Sequence, residues 1–373
     1  MIDNPYFNGK KLREYLSLDH NDIQEYHRDR ICYLLDEFPF VDKSLFYNKE
    51  DHRKLNIFYK RKTNKREYST SGTTGQPLSF RLNSEFFIYR NSYIIRKILH
   101  HYNISIDDCI FIKISPYRQM QYDIVEGSLG FINNYISVRD NMVDEISKEF
   151  INKNKIIISS PSIYQKIIDK NINLGNNIKL CISSLERLYD KNKYEDYYNS
   201  RFVDWITCLD GGLSAWKCIN DEYHIDFEFC KVINNNDNKL YLTDLWNEKE
   251  LFYNYFNGDY GIVSHKNCGC GNNGFLLKKF LGRETEIIEV NGIKRYGMEI
   301  YSTLFPDLNF NECILTNGSD GIVFRYNGGD KNDLIKVEER MNYLFHGLFS
   351  VKKEDRDFFL KYQGKKKKIY HET

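Results

Sequence analysis

The sequence predicts an α/β protein with a large N-terminal domain of mixed and parallel sheets and a small C-terminal α+β domain. Two features of its 373 residues lead to this prediction. Short apolar runs typical of buried strands alternate with helical patterns at short spacing, as in parallel α/β sheets. After about residue 283 the pattern changes to a hairpin, a strand and amphipathic helices. We therefore expect a large domain over residues 1–282 and a small, mobile one over 283–373.

The individual elements follow from local patterns. Asn83 or Ser84 is expected to cap a helix whose apolar residues recur at helical spacing as far as Tyr102. A proline in the first turn marks the start of a second helix, over 161–170. Two more helices are predicted over 21–38 and 333–345, and strands are predicted over 109–114, 155–159, 178–183 and the run "GIVFRY".

Composition excludes several classes of protein. Lys and Arg (53) nearly balance Asp and Glu (52), which argues against an electrostatically driven nucleic-acid binder. No window of 18 apolar residues indicates a membrane span, and the N-terminus lacks the apolar region of a signal peptide. Nine cysteines in such a chain indicate buried thiols or metal ligands in a reducing compartment, and we expect a cytoplasmic protein.

The run "YSTSGTTGQP", residues 68–77, combines hydroxyl side chains with two glycines. Its backbone N–H groups and hydroxyls could surround an anion, most often phosphate, without a clash from side chains. No Gly-Lys-Ser/Thr follows the second glycine, so the run is not a P-loop. An ordinary polar turn is the alternative interpretation.

Four motifs, in order along the chain, resemble those of the adenylate-forming superfamily of AMP-forming acyl and aryl ligases. The run above resembles the superfamily's phosphate loop, T-S-G-T-T-G-x-P. "YFNGD" (255–259) resembles its Y-x-T-G-D motif, and "GRETEIIEVNGIKRYGMEI" (282–300) resembles its hinge motif. The terminal "GKKKKI" (364–369) resembles its Gly-Lys motif. The resemblance extends over residues 68–369.

The resemblance implies an ATP- and Mg²⁺-dependent reaction in two steps. A carboxylate attacks the α-phosphate of ATP to give an acyl-adenylate and pyrophosphate, and a thiol or amine then takes the acyl group from AMP. Lys365, Thr73 and Thr74 are the expected catalytic residues. The expected nucleotide-binding residues are Thr70, Ser71, Gly72, Gly75, Gly212, Ser214, Asp259 and Arg283, of which Asp259 and Arg283 would face the ribose.

The implied partners are a small carboxylic acid and an acceptor, which could be coenzyme A, a carrier protein or an amine; a homodimer is also possible. Simpler interpretations exist for two of the residues. Asp259 could be an aspartate in a turn, because Gly-Asp pairs are common there. Lys365 could belong to a solvated basic tail.

The segment "GGLSA" (211–215) departs from the superfamily motif Y-G-x-(S/T)-E. Gly211 replaces an aromatic residue expected to stack on adenine, and Ala215 replaces a glutamate expected to hold Mg²⁺. Asp210 or Glu186 could substitute for that glutamate. If neither does, the chain is a degenerate homologue that binds a nucleotide or partner without full adenylation activity. A zinc-stabilised interaction protein with an incidental loop is a third hypothesis.

A cysteine pattern resembles the phenylacetate–CoA ligase branch, which includes capsule-biosynthesis members. "CINDEYHI" (218–225) and "CGCG" (268–271) contain three cysteines and a histidine, a standard set of structural zinc ligands. The expected ligands are Cys218, His224, Cys268 and Cys270; His265 is a rival, and four unrelated loop residues are the simpler interpretation. The overlapping "GCGNNG" lacks the strand–helix context of a dinucleotide fingerprint, so we discount it.

Overall fold

The computed structural model describes residues 41–42, 67–69, 79–81, 84–116, 124–130, 132–245, 252, 254–264, 266, 268–272, 275–360, 362 and 368–371. The predicted helix over 21–38 and the loop over 70–78 lie outside these residues. Two short strands, β2 (Glu67–Ser69) and β3 (Ser79–Arg81), flank that loop and pair with each other antiparallel.

Within the described residues, thirteen strands form one large sheet. Its five central strands, over residues 132–139, 110–115, 155–159, 178–184 and 202–207 in spatial order, are parallel, and antiparallel strands extend the sheet on both sides. In spatial order the strands are β12 (Cys230–Asn234), β13 (Lys239–Asp244), β14 (Tyr255–Ser264), β15 (Leu276–Arg283), β11 (Tyr223–Ile225), β10 (Ser214–Lys217), β9 (Phe202–Thr207), β8 (Ile178–Ser184), β7 (Lys155–Ser159), β4 (Ile110–Ser115), β6 (Ile132–Arg139) and β5 (Ile124–Leu129). The thirteenth, β1 (Val41–Asp42), pairs with β14.

Helices cover both faces of the parallel strands. On one face lies α1 (Ser84–His101), which buries Ile94 and Ile98 against Phe111 of β4. On the other lie α2 (Val143–Phe150), α3 (Pro161–Asp169) and α4 (Lys191–Tyr198), which pack against the alternate residues of the same strands. Because both faces are covered, all five residues of β7 are buried, which explains its continuous apolar run.

The C-terminal region has its own hydrophobic core. The hairpin β16 (Ile288–Val290) and β17 (Ile293–Arg295) leads into α5 (Gly297–Leu304). A four-stranded sheet follows, in the order β20 (Ser350–Lys353), β19 (Gly321–Gly328), β18 (Phe310–Gly318) and β21 (Ile369–His371), with α6 (Lys331–Phe345) and α7 (Arg356–Leu360). Apolar residues of α5 and α6, such as Ile300 and Met341, are fully buried against Phe324 of this sheet.

The predicted fold class is confirmed: a large mixed α/β sheet is followed by a smaller sheet with its own helices. The strand predicted over 155–159 is β7, and the helix expected from Asn83 or Ser84 is α1. None of the helices in the described part of the chain combines the length and apolarity needed to cross a membrane.

Candidate active site

Asp259 and Arg283, expected from separate motifs, are neighbours in the structure. They are paired residues on the antiparallel strands β14 and β15, with Arg283 Nε 3.5 Å from Asp259 Oδ1. The Asp259 side chain is 2% exposed and that of Arg283 is 43% exposed, so the guanidinium reaches solvent above a buried carboxylate. The carboxylate raises the pKa of Arg283, which stays charged. The pair places a buried anion beside a partly exposed cation at the end of β15.

Two neighbours fix the orientation of the Asp259 carboxylate. Asn257 Nδ2 donates a hydrogen bond of 2.8 Å to Asp259 Oδ2, and the Asp259 backbone N–H donates one of 3.0 Å to Asn257 Oδ1. Cys208 Sγ donates to the same Oδ2 at 3.2 Å. Burial and Asp259 raise the pKa of Cys208 well above its ordinary value, so the thiol keeps its proton and acts as a donor. Sequence reasoning missed Cys208, since a lone cysteine after a strand carries no signal.

Gly211 and Gly212 form a tight turn that only glycine fits. Their φ angles are +81° and +72°, in the left-handed region. A Cβ on Gly211 would lie 2.9 Å from Leu242 and 3.2 Å from Tyr255, and one on Gly212 would lie 2.9 Å from the carboxyl group of Asp244. In this backbone, position 211 therefore has no room for the aromatic residue of the superfamily motif.

Buried groups hold the glycine turn from behind. Arg90 Nη1 of α1 donates to the Gly212 carbonyl at 3.3 Å, and Cys230 Sγ donates to the Gly211 carbonyl at 3.1 Å. Arg90 is 4% exposed, and desolvation lowers its pKa although Asp244 acts in the opposite direction. Sequence reasoning missed Arg90 and Asp244, because their partners are distant in the chain.

Ser214 and Ala215 face the protein interior. Ser214 Oγ donates to Asp226 Oδ2 at 2.6 Å and accepts from Trp205 Nε1 at 2.8 Å, and the residue is 0% exposed. This placement favours a structural role for Ser214 and does not support the predicted contact with the nucleotide. Ala215 is also 0% exposed and packs in an apolar cluster with Ile225. A glutamate at position 215 would bury its charge there.

The two carboxylates proposed to replace that glutamate have different surroundings. Asp210, next to the glycine turn, accepts a hydrogen bond of 2.9 Å from the Tyr255 hydroxyl at Oδ2. Glu186 accepts from the backbone N–H of Ser162 at 3.2 Å and from its hydroxyl at 2.8 Å, which ties Glu186 to the first turn of α3. Of the two acids, Asp210 is therefore the one that lies next to the glycine turn.

The remaining predicted residues lie outside the described residues; they are Thr70, Ser71, Gly72, Thr73, Thr74, Gly75 and Lys365. Near the last of these, Lys368 is attached to the small sheet region: its backbone N–H donates to the Tyr301 hydroxyl at 2.7 Å. Tyr301 in turn stacks on Tyr189 of the large sheet region, with ring centroids 4.8 Å apart. An ion pair between Arg187 and Glu286, 3.0 Å, joins the same two regions.

The four predicted metal ligands meet at one point. Cys218 and His224 come from the hairpin β10–β11, and Cys268 and Cys270 from the connection between β14 and β15. Their ligand atoms all lie within 4.8 Å of one another. His224 Nε2 is 3.0 Å from Cys268 Sγ and 3.2 Å from Cys270 Sγ, while Cys218 Sγ is 3.9 Å from Cys268 Sγ. Three sulfurs and one imidazole nitrogen at these distances can surround one tetrahedral metal ion.

The surroundings of the Cys₃His cluster suit a metal site. Burial and the nearby Lys97 lower the pKa of His224 to about 4, which keeps the imidazole neutral and able to bind a metal. Asn220 supports two ligands: its backbone N–H donates to Cys218 Sγ at 3.4 Å and its side chain to the Cys268 carbonyl at 2.9 Å. The rival ligand His265 lies outside the described residues.

Neither a protein-family model nor a curated protein matches the sequence. Solved structures do resemble the fold. A 2-hydroxyisobutyryl-CoA ligase in the postadenylation state, in complex with R3-HIB-AMP, has a TM-score of 0.60 at 12% identity, covering 87% of this chain and 81% of the ligase. Its open conformation with 2-HIB-AMP and CoA gives 0.54, at 12% identity and coverage of 90% and 81%.

A third resemblance is to the ATP-bound MatB from Rhodopseudomonas palustris. Its TM-score is 0.51 at 11% identity, and the match covers 80% of this chain and 68% of MatB. At such low identity the likeness concerns the fold alone. The chain has the fold of the adenylate-forming ligases.

Proposed function

We propose that this protein is an AMP-forming ligase that activates a carboxylic acid with ATP and transfers the acyl group to a thiol or amine. The observation that carries the proposal is the pairing of Asp259 with Arg283 beside a glycine turn, in a fold shared with structures that bind ATP or an acyl-adenylate. A buried carboxylate can accept both hydroxyl hydrogen bonds of a ribose.

The first step of this reaction joins two anions, so positioned donors and positive charge must supply most of the catalysis. Asp259 and Arg283 hold the ribose, and the Thr70–Gly75 loop surrounds the phosphates. Lys365 bridges the attacking carboxylate and the α-phosphate. Bound Mg²⁺, for which Asp210 is the nearest acid to the glycine turn, would neutralise the pyrophosphate leaving group. These roles rest on the sequence motifs and on the positions of Asp259, Arg283 and Asp210 in the structure.

Coenzyme A is the acceptor that we favour, because one of the similar structures contains both an acyl-adenylate and CoA. The Cys₃His cluster supports a place in the phenylacetate–CoA ligase branch and a structural zinc ion, since thiolates and imidazole are the usual zinc ligands. Thiolate ligands also favour a reducing compartment such as the cytoplasm.

We further propose the domain division 1–282 and 283–373. The separate core around Met341 supports it, as does the end of β15 at Arg283. Lys365 and Asp259 belong to different domains in this scheme, so the small domain must close on the large one for the first step.

One observation favours the alternative of a degenerate homologue that binds ATP without full activity. Ala215 lies in an apolar cluster, so no carboxylate occupies the position of the superfamily glutamate. The alternative predicts ATP binding without exchange of pyrophosphate.

ATP–pyrophosphate exchange with Mg²⁺, across pooled aryl, fatty and amino acids, tests the proposal. Exchange with one pool that is lost in Asp259→Ala and kept in Asp237→Ala, a matched change at an exposed aspartate between β12 and β13, would support it. Absence of exchange with every pool, alongside an ATP-induced thermal shift, would favour the degenerate homologue. Absence of both would refute nucleotide binding.

A further inference from the structure

Lys113 occupies an unusual position for a charged residue. It lies in the carboxyl half of β4, a central parallel strand, between Ile112 and Ile114, which are both buried. Its pairing partners are Ser137 of β6 and Ile158 of β7. The Lys113 side chain is nevertheless exposed. A lysine at the middle of a sheet that reaches solvent must point into an opening above that sheet.

The strand order identifies this opening. The parallel strands run β6-β4-β7-β8-β9, so the order along the chain reverses at β4. In open α/β sheets, ligands bind outside the carboxyl ends of the strands at such a reversal. Lys113 lies on the strand where the order reverses and in its carboxyl half, which is where a ligand is expected.

Among the described residues, the Lys113 ammonium has no counterion. Within the described part of the chain it takes part in no ion pair and no hydrogen bond. Desolvation lowers the pKa of Lys113, and no acidic group in the described part of the chain opposes that effect. A cation that is partly desolvated and lacks a partner destabilises the fold, which an anionic ligand would offset.

Polar residues lie between Lys113 and the proposed nucleotide-binding residues on one face of the sheet. Ser137 lies beside Lys113, and across the neighbouring strands Ser184 Oγ lies 3.4 Å from Thr207 Oγ1. Thr207 directly precedes Cys208, which donates to Asp259. From β4 to β9 there are three strand spacings, about 14 Å. A single extended molecule can therefore contact Lys113 on β4 and also the residues at the end of β9.

We propose that the acid substrate carries a second anionic group, a carboxylate or a phosphate, which binds Lys113 while its first carboxylate reacts at the nucleotide. This inference rests on the proposed ligase function and names the substrate class of that site. The separation of the two ends selects extended acids over short ones, and the hydroxyls of Ser184 and Thr207 line the path between them.

The test compares linear dicarboxylates of increasing chain length, and acids with a terminal phosphate, with monocarboxylates of equal length in ATP–pyrophosphate exchange. In the wild type, acids with a second anionic group should give the higher kcat/KM. Lys113→Met should lower kcat/KM for them by roughly tenfold to a hundredfold, as for the loss of a charged hydrogen bond. The monocarboxylates should change little. Whether carboxylate or phosphate gives the larger effect identifies the group.

Lys179→Met is the matched control, because Lys179 is an exposed lysine near the amino end of β8 and should affect no substrate. Lys113→Gln, with thermal melting of each variant, separates loss of binding from loss of folding. The inference is overturned if the wild type exchanges only with acids whose tails are uncharged. It is also overturned if folded Lys113 variants lose the same factor of kcat/KM for monocarboxylates as for acids with a second anionic group. Either result leaves the ligase function standing. Failure of exchange with every acid overturns both.

Discussion

The contact between Asn257 and Asp259 leads to a prediction about nucleotide selectivity. Asn257→Ala removes one donor to Asp259 Oδ2 and the acceptor of the Asp259 backbone N–H. Cys208 would remain as the other donor to Oδ2, and it is a weak one. Since Asp259 is proposed to bind the ribose hydroxyls, a carboxylate freed on one side should bind them less well.

The size of the effect follows from these contacts. A hydrogen bond to a charged group contributes about 1.5–3 kcal/mol net, and about 1.4 kcal/mol corresponds to a tenfold change in binding. Part of that energy supports the fold, so we expect ATP affinity to fall roughly tenfold. Analogues that lack a ribose hydroxyl make only one of the two proposed hydrogen bonds to Asp259. We expect 2′-deoxy-ATP and 3′-deoxy-ATP to lose much less than ATP does.

Titration calorimetry with ATP and the two deoxy analogues measures this difference. Asn234→Ala is the control: Asn234 is an exposed asparagine of β12 whose side chain accepts from the Val263 backbone N–H at 3.1 Å. It should leave all three affinities unchanged. Equal losses for ATP and both analogues in Asn257→Ala would leave the selectivity for ATP unchanged and would refute the assignment of Asp259 to the ribose.

Three further predictions concern the Cys₃His cluster, the glycine turn and Ala215. Cys268→Ser should reduce bound zinc and lower Tm, because it removes one ligand of the Cys₃His cluster. Cys313→Ser, at a buried cysteine of β18, should keep the metal. Zinc assays and melting curves measure both effects, and an unchanged zinc content in Cys268→Ser would contradict the site. Gly212→Ala should lower the free energy of unfolding by about 1–3 kcal/mol, because the φ of Gly212 is +72° and a Cβ there would contact Asp244. Urea titrations measure this change, and an unchanged free energy of unfolding would contradict the described geometry of the turn. Ala215→Glu should destabilise the protein by about 3 kcal/mol or more, because it buries a charge among apolar side chains. A variant that is as stable as the wild type and more active would contradict this expected loss of stability.

Elements with a strong local pattern were predictable from the sequence. The apolar run of β7 and the proline in the first turn of α3 each fix the local structure without help from distant residues. The Cys₃His cluster was also predictable, because cysteine and histidine at ligand spacing have few other uses. The distance of 3.9 Å between Cys218 Sγ and Cys268 Sγ agrees with that prediction.

Side-chain orientation was harder to predict. Ser214 matches a nucleotide-binding motif by its position, yet its hydroxyl lies between Asp226 and Trp205. The direction of a side chain in a short strand depends on pairing register, and a shift by one residue reverses every side chain. The same reason hid Lys113, whose significance depends on its neighbours β6 and β7 and on the strand order.

The surroundings of Gly211 explain why it carries no aromatic side chain. Tyr255 packs where a side chain on Gly211 would lie, and its hydroxyl donates to Asp210. The Tyr255 ring of β14 thus occupies the space beside position 211, and its hydroxyl fixes a carboxylate beside the turn. Within the proposed ligase function, Asp210 is therefore the acid that takes the place of the missing glutamate.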